Sequence, residues 1–181
     1  NAIDYGGLEV EDVFATREYM VENYDLVDAD RVGIMGWSHG GLIALIRLFD
    51  HPDAYRCAFG RVPVSDLVQR MGYHGQGYRD LYEADYFIGA SAQENLEEYK
   101  RRSPVWHVHK LSKPLRIHTN PHDEDVTYIE VEHLIQALDR LLFHRVHIQV
   151  RPVIVNHVAE AYALDQIDHL VACQRGVVRD P

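Results

Sequence analysis

The run Gly36-Trp37-Ser38-His39-Gly40-Gly41 sits where a short apolar segment meets a helical one, and that junction limits the folds open to the chain. Ahead of it, Arg31-Val32-Gly33-Ile34-Met35-Gly36 reads as a buried strand. Behind it, Gly40-Gly41 opens a helix rich in aliphatics (Leu42, Ile43, Leu45, Ile46, Leu48) that should end before Pro52. A strand turning directly into a helix, with serine at the turn and glycine two residues to either side, is the G-x-S-x-G pattern of a nucleophile elbow. Such a turn is strained and pushes the hydroxyl clear of the sheet. Gly36 and Gly40 are expected where a Cβ would collide with the neighbouring strand or helix. The N–H of His39 would then point into an oxyanion position at a helix N-terminus. The plainer alternative is a tight turn in which Ser38 only caps the helix.

Around this junction the chain alternates helical and strand-like segments without repeats, which predicts an α/β domain with a mainly parallel sheet flanked by helices. Leu8 to Tyr24 has helical spacing, Cys57 to Val64 and Pro114 to His118 read as strands, and Val126 to Leu142 is an amphipathic helix. Val146 to Val150 alternates with period two and reads as a strand, with a closing helix from about Ala159 to Ala172. Residues 66–104, rich in glycine and tyrosine, read as a cap-like excursion, helical around Glu94 to Arg102. Their tyrosines either line an acyl or aromatic pocket or form the underside of that cap. The 181 residues suit one domain.

Composition narrows the partners. Acidic residues outnumber basic ones 28 to 18, a net charge of −10 that repels phosphate backbones and argues against nucleic acid. No apolar run approaches the roughly 20 residues needed to cross a bilayer, so no membrane partner is expected. The opening lacks a signal-peptide layout. Cys57 and Cys173 stand outside any cysteine framework, as in a reduced, cytoplasmic protein.

A serine at neutral pH needs a base, itself oriented by a carboxylate, and after an elbow these follow in the order acid, then histidine. Three acids crowd the loop after the Pro114–His118 strand. Asp123, well into the loop, is the favoured acid; Asp125 is expected to cap the helix near Val126; all three could also be plain solvated loop and capping residues. The base must come from the loop after the Val146–Val150 strand, which selects His157; His169 falls in a helical pattern and His147 mid-strand. A rival reading uses the histidines for metal: His118 and His122 flank the acidic loop, and His107 and His109 would share a strand face. No H-E-x-x-H is present, and neither metal nor other cofactor is expected.

The chain resembles the catalytic domain of the prolyl oligopeptidase family of serine hydrolases, in its dipeptidyl-peptidase and acylaminoacyl-peptidase-like branch. The resemblance lies in Tyr5-Gly6-Gly7, Asp30-Arg31-Val32-Gly33-Ile34 running into the elbow, Arg102-Ser103-Pro104, Pro114-Leu115-Arg116-Ile117-His118 and the D-x-x-V of Asp123 to Val126. It implies an α/β-hydrolase fold and cleavage of peptide or ester bonds through an acyl-enzyme, with Ser38 as nucleophile and Asp123 as triad acid. His157 rests on spacing instead, since the family's glycine-rich turn is missing before it. In the family, several strands precede the Tyr5 region, and a loop there supplies the second oxyanion donor. This chain begins after them, so the resemblance implies a sheet lacking its first strands. Activated esters are accordingly expected to react better than peptides, and a second copy could cover the open sheet edge. The alternative is a hydrolase scaffold that binds or assembles without turnover.

Overall fold

Three parallel strands carry the candidate site. In the computed structural model, which describes residues 4–145 and 158–161, β1 (Gly33–Trp37), β2 (Cys57–Arg61) and β3 (Leu115–His118) lie side by side in that order. The pairing aligns Trp37 with Arg61 and Arg61 with His118, so the strands end level. The loops leaving their C-terminal ends therefore gather on one edge, the edge where open α/β sheets place ligands. A fourth strand, β4 (Val158–Ala161), runs antiparallel against β3. Among the described strands β1 is at the other edge, with Met35 and Trp37 exposed.

Helix α1 (Leu8–Asn23) packs on α2 (His39–Asp50), which lies on β1 and β2. Being apolar almost all round, α2 buries Leu42, Ala44, Leu45, Ile46, Leu48 and Phe49, as a helix held between a sheet and other helices must. Three short helices follow β2: α3 (Leu67–Tyr73), α4 (Gln76–Glu83) and α5 (Leu96–Arg101). A 3-10 segment (Pro104–Lys110) then leads to β3, and α6 (Tyr128–Arg145) ends the continuous described region. These elements share one hydrophobic core, in which Leu45, Leu67, Leu115, Ile117 and Leu134 are inaccessible to solvent. Among the described residues no helix is long and apolar enough to cross a membrane.

The architecture is the α/β-hydrolase fold expected, with several local corrections. β2 stops at Arg61, because Val62 turns to a φ of +41°, outside the strand region and costly for a β-branched residue. The excursion holds three helices where one was expected. Tyr82 and Tyr99 are buried in the core beneath it. His107 and His109 lie in the 3-10 segment, not on a strand. Ala159, expected to begin a helix, lies in β4. Its backbone pairs with the open edge of β3, and that pairing outweighs a weak local preference for helix. The expected Val146–Val150 strand and His157 lie outside the described residues.

Candidate active site

Ser38 is the residue between β1 and α2, with φ +54° and ψ −119°, a conformation that only a tightly held non-glycine residue keeps. The backbone holds it. Its N–H donates to the Arg61 carbonyl at 3.0 Å. Its own carbonyl accepts from the N–H groups of Gly41 (2.9 Å), Leu42 (3.2 Å) and Val64 (3.1 Å). The side chain makes no capping bond to α2, so the alternative of a helix-capping serine fails. As the first residue of α2, His39 has an N–H without an intrahelical acceptor.

The glycines divide the work differently from expectation. A Cβ on Gly36 would stand 1.9 Å from the Gly40 carbonyl oxygen, and one on Gly41 would stand 2.7 Å from Pro63 Cα and Cβ. A Cβ on Gly40 would meet nothing within 4 Å. The expected collision thus occurs at Gly36 and Gly41, and Gly40 is sterically free.

Tyr5-Gly6-Gly7 packs directly on the elbow. The Tyr5 ring stacks on the His39 imidazole, centroids 3.8 Å apart and planes 12° from parallel. The other side of His39 is engaged by Glu9, with Nε2 2.9 Å from Oε1. Glu9 also accepts the N–H groups of Gly6 and Gly7. Burial pushes its carboxyl up, but the His39 bond and these N–H donors outweigh that and hold it below the usual carboxylate range.

Asp123 lies in the loop after β3, two strands from Ser38, or roughly 10 Å measured across the sheet. It is half-buried, and its Oδ1 accepts the N–H groups of Asp125 (3.1 Å) and Val126 (2.8 Å). The expected assignment of Asp125 as a helix cap is corrected here. Its carboxylate pairs with Arg70, Oδ1 to Nη2 at 2.8 Å, while Asp123 satisfies the N–H groups ahead of α6. His157 lies outside the described residues. His118 Nδ1 is buried and unpartnered among the described residues, and no group of three potential metal ligands gathers among them.

Two buried groups behind the acid loop escape the sequence reading. Arg70 of α3 and Glu130 of α6 are both inaccessible to solvent and pair at 3.3 Å. Glu130 also accepts the N–H groups of Ser65 (2.5 Å) and Asp66 (3.0 Å) and the Tyr73 hydroxyl (2.5 Å). Burial pushes its carboxyl up against the pull of Arg70 and these donors. The signal is present in the sequence. Glu130 falls on the same stripe of α6 as Val131, Leu134 and Leu138, where a charge is admissible only with a buried partner.

Comparison with known proteins agrees with the geometry. Residues 2–161 match the prolyl oligopeptidase family. Dipeptidyl peptidase 8 from Homo sapiens is 35% identical over 92 residues, 49% of this chain and 10% of that protein. The acylamino-acid-releasing enzyme from Mus musculus is 28% identical over 146 residues, 73% of this chain and 19% of that protein. A crystal structure of puromycin hydrolase superposes with a TM-score of 0.64 at 26% identity, over 74% of this chain and 20% of that one. The chain thus spans a fifth or less of the length of these relatives. On the family match and the shared fold together, it belongs to the prolyl oligopeptidase family.

Proposed function

We propose that the chain carries a serine hydrolase site working by acyl transfer on peptide or ester bonds. Ser38 Oγ attacks the carbonyl, His157 takes its proton and returns it to the leaving group, and Asp123 holds the imidazole in the useful tautomer. Water then releases the acyl group by the same proton relay in reverse. The His39 N–H donates to the oxyanion, and the chemistry needs no cofactor.

The observation that carries this reading is the Ser38 backbone. A strained φ of +54° is held by three donors to one carbonyl, while the hydroxyl is excused from capping. Strain of this kind persists where the surroundings over-determine it, as at sites of chemistry. The relatives named above are by name a dipeptidyl peptidase, an acylamino-acid-releasing enzyme and a puromycin hydrolase, which favours acyl substrates.

A fluorophosphonate probe tests the reading. It should label the chain at Ser38, and Ser38→Ala should abolish labelling and lower ester hydrolysis by about 10³-fold or more with unchanged thermal unfolding. A folded wild-type chain that resists the probe would overturn the reading and leave the non-catalytic scaffold in its place. The position of β1 at the edge of the described strands adds a second proposal, pairing of two copies along that strand. Sedimentation that stays monomeric up to high concentration would remove it.

A further inference from the structure

One hydrogen-bonded path joins the two halves of the site. It starts at the Ser38 carbonyl, which accepts the Val64 N–H. The next two N–H groups, of Ser65 and Asp66, both donate to Glu130 Oε1. The other oxygen of Glu130 meets Arg70 Nη1. Arg70 then grips Asp125 twice, Nη1 to its carbonyl at 3.2 Å and Nη2 to its carboxylate at 2.8 Å. Finally, the Asp125 N–H donates to Asp123 Oδ1. A branch leaves Arg70 through Nε to the Tyr78 hydroxyl (2.8 Å) and on to the Tyr82 hydroxyl (3.1 Å); the Tyr82 ring packs against Tyr5, centroids 4.9 Å apart, and Tyr5 stacks on His39.

We infer that Arg70 and Glu130 are a buried positioning pair that fixes the acid loop against the nucleophile elbow. This rests on the triad reading of Ser38, Asp123 and His157. The loop from Thr119 to Val126 is shaped in part by its own bonds, from Asn120 to His122 and Asp123 and from Asp123 to Asp125 and Val126. From outside, Arg70 makes the shortest contacts to Asp125, beside the Tyr73 hydroxyl on its carbonyl (3.3 Å) and His74 Nε2 3.9 Å from its carboxylate. A guanidinium is the group suited to this task. Its flat fork reaches a carbonyl, a carboxylate and two phenols in fixed directions, which an ammonium cannot do. Glu130 supplies the opposite charge that makes Arg70 tolerable in the interior, and it ties that charge to the segment under Ser38. The pair touches no reacting atom. It sets where Asp123 stands relative to Ser38, and through Asp123 how well an imidazolium between them is stabilised.

The test is the rate of fluorophosphonate labelling of the 181-residue chain from pH 5 to 9, with thermal unfolding recorded for each variant. Arg70→Met with Glu130→Gln removes both charges together, so no buried charge is left alone. Arg70→Lys keeps the charge balance and loses the fork. Each should unfold cooperatively yet be labelled about 10- to 100-fold more slowly than wild type. The acid limb of the pH profile should move to lower pH, because a poorly held carboxylate stabilises the imidazolium less. A purely structural pair would lower labelling only in proportion to the unfolded fraction and leave the limb in place. That outcome overturns the inference, as does a wild-type rate in either variant. If the double variant does not fold, Arg70→Lys alone separates positioning from mere structural support. A wild-type chain that the probe does not label removes the triad reading and the inference with it. A labelled wild type with indifferent variants removes the inference alone.

Discussion

The elbow around Ser38 and the loop around Asp123 sit two strands apart on the same edge of the sheet, yet they are held by different means. The elbow holds itself: its donors are mostly its own backbone, and its tight contacts are between Gly36 and Gly40 and between Gly41 and Pro63. The acid loop adds to its own turn bonds a hold from outside, by an arginine 55 residues earlier in the chain and through that arginine by a glutamate on the following helix. A self-held turn tolerates change elsewhere in the chain and fails when its own atoms are altered. An externally held loop can be displaced from a distance while its own sequence stays intact.

The widest separation between chemistry and stability is expected at Asp123→Asn. The amide oxygen still accepts from Asp125 and Val126, so the melting temperature should stay put while hydrolysis falls by about 10³-fold or more. Parallel losses of both would make Asp123 a purely structural turn residue. Gly36→Ala attacks the elbow where an added Cβ would stand 1.9 Å from the Gly40 carbonyl oxygen, and should cost about 4 kcal/mol or more, read by urea unfolding. Glu130→Ala tests the outer support. It strands a buried arginine and two buried N–H groups, at about 3 kcal/mol. Gly41→Ala must displace Pro63 and should cost about 2 kcal/mol. Gly40→Ala should change stability by less than about 0.5 kcal/mol, or raise it slightly, since the position is helical and open. If Gly40→Ala proved as damaging as Gly36→Ala, the division of labour among these glycines would be wrong.

The same contrast explains what is legible in the sequence. The elbow can be read from six consecutive residues because its constraints are local: a strand, a strained serine and a helix start each leave a mark in adjacent positions. The correction there is one of detail. The pattern calls for glycine at Gly40, whereas contact with Pro63 makes Gly41 the crowded position, and the path of the 62–66 loop is not written in the motif. Asp123 stands out by its depth in the loop after a strand, but Asp125 is easily mistaken because a capping acid and an ion-paired acid look alike in sequence. Arg70 escapes notice for the same reason, since only packing reveals that it is buried. Ala159 departs from its helical expectation because a four-residue strand is decided by the edge it pairs with, here β3, and not by its own composition.

The sequence by itself determined the α/β order, the strained serine and the acidic loop, because period, turn chemistry and motif spacing act over a few residues. Only the tertiary structure decided which acid closes the turn and which pairs with Arg70, which glycine is indispensable and what holds the two loops in register. Those answers depend on desolvation and on contacts between residues far apart in the chain, and no local pattern encodes them.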